Sequence, residues 1–126
     1  MSMVHVAATQ MACSWTIEEN LARAEALVRR AAAEGAQIIL LQELFETPYF
    51  CIRQEAEHFE LAHEVETSTL IARFRDLAAE LQVVLPLSFF ERAGNTRFNS
   101  VLVIDADGTV KSRYRKTHIP QSPGYE

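Results

Sequence analysis

Two charged residues stand where this chain could do chemistry. Glu43 directly follows the apolar run Ile38-Ile39-Leu40-Leu41-Gln42, the point where a buried strand leaves its sheet. In open α/β sheets the carboxyl ends of the strands are where ligands bind. A carboxylate held there against apolar surface is desolvated, which raises its pKa and suits a general base that must also carry a proton. Lys116 lies in Tyr114-Arg115-Lys116-Thr117-His118-Ile119-Pro120, at the exit of a later strand into a loop with proline and glycine. An ammonium placed there donates to a developing oxyanion or holds a carboxylate ionised. Each residue also has a plainer reading. The position of Glu43 equally suits a strand-end carboxylate that reaches solvent or caps the next turn. Lys111, Arg113, Arg115 and Lys116 alternate or cluster as charges do on a solvated edge strand.

The remaining reactive residue types point less sharply. Phe45, Tyr49 and Phe50 form an aromatic cluster after Glu43; it is either loop packing or the wall of a pocket, and in the second case Tyr49 is the candidate substrate contact. His5 sits in an apolar strand and reads as a packed or hydrogen-bonded core histidine. His58, His63 and His118 lack metal-ligand spacing, so no metal is expected. Cys13 and Cys51 have no neighbouring histidine, and a free cysteine usually behaves as a small buried hydrophobe. The turn after the first strand, Met11-Ala12-Cys13-Ser14, holds no glycine, and there is no phosphate-binding Gly-rich loop.

The elements that must position these residues follow from pattern. Val4 to Gln10 reads as a mostly buried strand. Thr16-Ile17-Glu18-Glu19 has the form of a capping box, with Thr16 and Glu19 satisfying amides at a helix start. Ile17, Leu21, Ala24, Leu27, Val28 and Ala31 then recur at helical spacing, with Glu19–Arg23 and Glu25–Arg29 as outer pairs and Gly35 as a left-handed cap. Ala36 to Gln42 is apolar at nearly every position, which predicts a strand buried on both faces. A short helix fits Arg53 to Leu61, and Leu70, Ile71, Phe74, Leu77, Ala78 and Leu81 mark a second amphipathic helix. Val83 to Phe90 reads as a third strand, with Pro86 predicting a bulge or distortion. Ala93-Gly94-Asn95-Thr96 is a turn into a fourth strand from Phe98 to Ile104. Asp105-Ala106-Asp107-Gly108 turns into a fifth from Thr109 to about Tyr114. The result is an α/β architecture, parallel first and antiparallel at one edge, with helices covering the sheet.

Composition bounds the function. The chain has 126 residues and a formal net charge of -5, which argues against a phosphate-tracking nucleic-acid binder. No long apolar run or basic leader points to a membrane or to secretion. Two cysteines are too few for a disulfide framework, which fits a reducing, cytoplasmic setting.

Beyond this point the chain resembles a known family, and the likeness runs from end to end. Ala7-Ala8-Thr9-Gln10-Met11, Ala36 to Phe45 and Tyr114 to Pro120 resemble the first strand, the glutamate segment and the lysine segment of the nitrilase, or carbon-nitrogen hydrolase, superfamily. The stretches Met11 to Trp15, Gln42 to Cys51 and Lys116 to Tyr125 look most like its branch that hydrolyses N-carbamoylputrescine. The resemblance implies that residues 1–126 form the N-terminal part of a nitrilase-type α/β/β/α sandwich, a mixed sheet with helices on one face, ending before the nucleophilic cysteine. It implies a Cys-Glu-Lys triad in which Glu43 is the base and Lys116 stabilises the tetrahedral intermediate, with neither Cys13 nor Cys51 at the nucleophile's position and a supporting glutamate at or just past Glu126. It further implies a small carbamoyl amine as substrate, no cofactor, and a homo-oligomer. Two other readings stay open: an amidase of the superfamily acting on another N-carbamoyl amine or amino acid, and a non-catalytic α/β binding module.

Overall fold

The computed structural model describes residues 3–53 and 55–120. Strand β1 (Val6–Ala8) leads through α1 (Ile17–Ala33) into β2 (Ile38–Leu40), and the two strands pair in parallel, Val6 to Ile38 and Ala8 to Leu40. Two 3-10 turns, Phe50–Ile52 and Ala56–Leu61, precede α2 (Thr69–Leu81). Then β3 (Leu85–Ala93), β4 (Thr96–Ile104) and β5 (Val110–Arg115) form an antiparallel meander. A parallel bridge between Ile38 and Val84 joins the two sheets, so the strands follow one another in chain order. This is the expected mixed sheet with helices on one face.

The core lies between that face and the helices. Leu21, Ala24 and Val28 of α1, and Leu70, Ile71, Phe74, Leu77 and Ala78 of α2, pack on Ile39, Leu85, Leu87, Phe89, Leu102 and Ile104. Each such Leu or Phe side chain contributes about 1.5–3 kcal/mol when fully buried. The strand residues involved alternate, as a pleated sheet with one covered face requires.

That alternation corrects two expectations. The first strand is not mostly buried, because Val6 is 71% exposed, and β2 is not buried on both faces, because Leu40 is 49% exposed while Ile39 is 0%. An uninterrupted apolar run does not distinguish two covered faces from one covered face and one apolar open face. His5 is likewise exposed rather than packed in the core.

Local details differ from the pattern reading in three more places. Thr16 is the N-cap of α1, but its side chain makes no capping bond; the entry is fixed instead by Asn20, fully buried, which accepts from the Ser14 amide at 3.0 Å and donates to the Glu46 carbonyl at 2.9 Å. Arg23 donates to the Ala12 carbonyl, whereas the Glu25–Arg29 pair forms at 2.8 Å as expected. Pro86 causes no bulge, since it lies in register opposite Val103. Val84 directs both its amide and its carbonyl at β2, so by the two-residue period Pro86 turns its donor-free nitrogen to that same side, past the end of the β2 pairing. The register shift falls on the other side of β4, between Val103 and Ile104.

Turn chemistry holds where glycine is needed. Gly35 ends α1 at φ 93. Gly108 has φ 79, and an added Cβ would lie 2.8 Å from the Arg75 carbonyl oxygen, so both conformation and space select glycine. No helix among the described residues is long and apolar enough to cross a membrane.

Candidate active site

Glu43 and Lys116 meet on the sheet face opposite the helices. Lys116 follows the last residue of β5 and stays in the ladder through its amide, which donates to the Asn99 carbonyl at 2.8 Å. Its Nζ donates to Glu43 Oε1 at 3.0 Å, and the Asn99 side-chain amide donates to the same oxygen at 2.6 Å. The carboxylate is therefore held by one cation and one amide. It is not pressed against apolar surface as expected: its side chain is 44% exposed, and that of Lys116 32%.

The backbone around Glu43 is built to present it. Gln42 exchanges two hydrogen bonds with the backbone of Met11, at 2.8 and 3.1 Å, which ties the end of β2 to the segment after β1. Leu44 then adopts φ 51, the left-handed region that a branched bulky side chain rarely occupies. Two interactions hold it there: the buried Ser88 hydroxyl accepts from the Leu44 amide at 3.0 Å, and the Leu44 side chain is itself buried. The chain turns sharply at that point, leaving the Glu43 carboxylate outside the core while Phe45 packs inside it, edge-on to Phe74.

A cavity of about 440 Å³ opens beside the pair. Lys116, Asn99, Arg53, Glu55, His58 and Arg97 supply its polar lining, and Tyr49, Phe50, Phe59 and Phe90 much of its apolar wall. Both readings of the aromatic cluster thus hold, for different members: Phe45 is core packing, whereas Tyr49 and Phe50 line the cavity. An apolar slot with a few polar groups converging at one end is the usual form of a small-molecule site.

Both thiols are shifted away from the thiolate form. Burial pushes the Cys13 thiol up, with Arg23 opposing, and Cys13 donates to the Phe45 carbonyl at 3.2 Å. Burial also pushes up the Cys51 thiol, partly offset by a hydrogen bond with Tyr49. A nucleophilic cysteine needs the opposite shift. Glu55, Glu57 and His58 bring ligand atoms within 4.8 Å of one another, a cluster that sequence spacing did not flag; exposed carboxylates often reach this geometry without holding an ion. Glu126 lies outside the described residues.

Residues 5–126 match the family described as carbon-nitrogen hydrolase. The chain belongs to that family. It is 51% identical over 125 residues to an N-carbamoylputrescine amidase of Oryza sativa subsp. japonica, covering 99% of this chain and 42% of that relative. It is 42% identical over 126 residues to a citrullinase of Francisella tularensis subsp. tularensis, covering 100% of this chain and 44% of that relative. The crystal structure of a carbon-nitrogen hydrolase from Helicobacter pylori G27 superposes with a TM-score of 0.89 at 32% identity, over 97% of this chain and 42% of that one. This carbon-nitrogen hydrolase chain thus spans less than half the length of these relatives.

Three features of the chain are not evident from the sequence patterns above. Asn99 in mid-strand was a detectable signal, because asparagine is depleted in strands. Glu91 was another, since it continues the inward series Leu85, Leu87, Phe89. The left-handed Leu44 left no trace in residue type.

Proposed function

We propose that this chain carries the general base and the oxyanion-stabilising cation of a hydrolase acting on N-carbamoylputrescine, and that the nucleophilic cysteine is not one of its two. The observation that carries the reading is the convergence of Lys116 and Asn99 on one oxygen of Glu43 at the edge of an apolar cavity. It is supported by 51–52% identity to N-carbamoylputrescine amidases. In this scheme Glu43 takes the proton of a cysteine thiol as its sulfur attacks the ureido carbon. Lys116 stabilises the oxyanion, and the proton held by Glu43 passes to the departing nitrogen. Glu43 then deprotonates the water that releases the carbamoyl group. The balance is one N-carbamoylputrescine and one water to putrescine, carbon dioxide and ammonia. Tyr49 and its aromatic neighbours would flank the methylene chain of the substrate. The hydrolase would work in the cytoplasm as a homo-oligomer.

Ammonia release from N-carbamoylputrescine by the complete product of the gene tests this reading. Turnover should fall by at least about a thousandfold in Glu43→Gln and Lys116→Ala, as when a base or an oxyanion donor is removed. Undiminished turnover in either variant would overturn the assignment.

A second substrate is favoured by a specific observation, the 42% identity to a citrullinase over the whole chain. Citrulline presents the same terminal ureido group but ends in an amino acid rather than a single ammonium, so its far end needs an anion partner as well as a cation partner. Competition between the two substrates in one assay separates them.

A further inference from the structure

Glu91 is fully buried, yet it is paired with two arginines. On β3 it accepts from four donors: Ser100 Oγ of β4 at 2.6 Å, Arg113 Nη1 of β5 at 2.9 Å, and Arg115 Nε and Nη2 of β5 at 3.0 and 2.6 Å. The Arg115 hydrogen bonds, followed by those of Ser100 and the two guanidinium charges, hold its carboxyl below the ordinary carboxylate value against the cost of burial. The Arg115 guanidinium also lies 3.9 Å above the Phe98 ring. Arg113 and Arg115 are therefore not simply the solvated charges of an edge strand, as their spacing suggested; one buried carboxylate gathers them across three strands.

This clamp sits one residue from the candidate lysine. Ser100 pairs with Arg115 in the β4–β5 ladder, and on the next rung the Lys116 amide bonds the Asn99 carbonyl. Successive side chains point to opposite faces. Ser100 and Arg115 thus turn to Glu91 on the helix-covered face, while Asn99 and Lys116 turn to Glu43 on the other. Among the described residues, strand β5 has a ladder partner on one side only, a register shift near its start and mostly exposed residues, so side-chain contacts weigh heavily in fixing its last rung. A two-point guanidinium–carboxylate contact does so with defined geometry.

We propose that Glu91 is the positioning residue for Lys116, acting through Arg115 to hold the end of β5 in the register that brings the lysine ammonium to Glu43. Its catalytic consequence rests on the hydrolase reading above; its geometric consequence does not, and the two are measured separately.

The chain has two lysines, Lys111 and Lys116. After reductive methylation with 13C-formaldehyde each gives its own dimethylamine signal, and Lys111, paired with Asp105 at 3.2 Å, is an internal reference. Glu43→Gln marks where the Lys116 signal moves when its partner is lost. In Glu91→Gln the Lys116 signal should move to that same place while the Lys111 signal stays. Arg115→Met, which leaves Glu91 with Arg113 and Ser100, should do likewise, and keeps the test open if Glu91→Gln does not fold. A purely structural role lowers the melting temperature without displacing Lys116, so a Lys116 signal at its original position in either folded variant overturns the proposal. In the complete gene product, Arg115→Met should lower kcat about tenfold with KM within about twofold, the pattern of a lost transition-state interaction.

Discussion

Lys116 Nζ lies 3.0 Å from Glu43 Oε1, a contact between residues 73 positions apart that joins the end of β2 to the end of β5. Both side chains are too exposed for the pair to add much stability, because solvent screens such contacts to about 0–1 kcal/mol. Its value is positional: it ties a carboxylate to an ammonium that lines the cavity.

Asn99 shares the Glu43 oxygen with Lys116. A hydrogen bond to a charged group is worth about 1.5–3 kcal/mol, so Asn99→Ala in the complete gene product should lower kcat/KM by about ten- to a hundredfold. The chain should still fold, since nothing in the core is removed. Steady-state kinetics with N-carbamoylputrescine, together with a thermal melt, checks both parts.

The Ser88 hydroxyl accepts from the strained Leu44 amide at 3.0 Å. Removing its hydroxyl leaves a buried donor unsatisfied next to a left-handed backbone, which costs about 1–3 kcal/mol. Ser88→Ala should lower the unfolding free energy from urea titration by that amount, and with it the midpoint, whereas Ser88→Thr should retain most of it. A midpoint unchanged in Ser88→Ala would show that Leu44 is held by packing alone.

Glu91 makes stability depend on acid. Its carboxyl lies below the ordinary value of 4.5, first because of Arg115. A depressed carboxyl contributes stability that is fully present above its unfolded pKa and is lost as pH falls through that value toward the lower folded one. The chain should therefore lose stability on acidification below about pH 5. Glu91→Gln should be less stable at neutral pH but show a shallower acid loss. Urea midpoints measured from pH 7 to pH 3 for both proteins give the comparison; parallel curves would mean that other carboxylates, such as Glu25 beside Arg29, govern the acid limb.

Burial pushes both thiols up, so neither should react like a catalytic cysteine. Modification of the native chain by a disulfide reagent at pH 7 should be slower than that of free cysteine. In the complete gene product, Cys13→Ala and Cys51→Ala should keep turnover within about threefold. A collapse of turnover in Cys51→Ala would make Cys51, which lines the cavity with Lys116, a participant in the reaction.

Much of this was legible in the residues. The helical stripes of α1 and α2, the glycine turns at Gly35 and Gly108 and the parallel-then-antiparallel strand order all depend on short-range pattern, and short-range pattern is written directly in residue type. Glu43 could be picked out because it ends an apolar run, and Lys116 because its segment resembles the family's lysine segment. What could not be read was which partners those ends would meet.

Sequence by itself thus determined the elements, their order and the two charged residues worth watching, because periodicity and turn chemistry are local. Tertiary structure alone decided that Lys116 and Asn99 converge on one Glu43 oxygen, that Leu44 takes a left-handed turn held by Ser88, that Glu91 gathers Arg113 and Arg115, and that Val6 and Leu40 lie open while Ile39 is covered. Each of these depends on which strand lies beside which and which face the helices cover. Those relations arise between residues distant in the chain, where no local pattern records them.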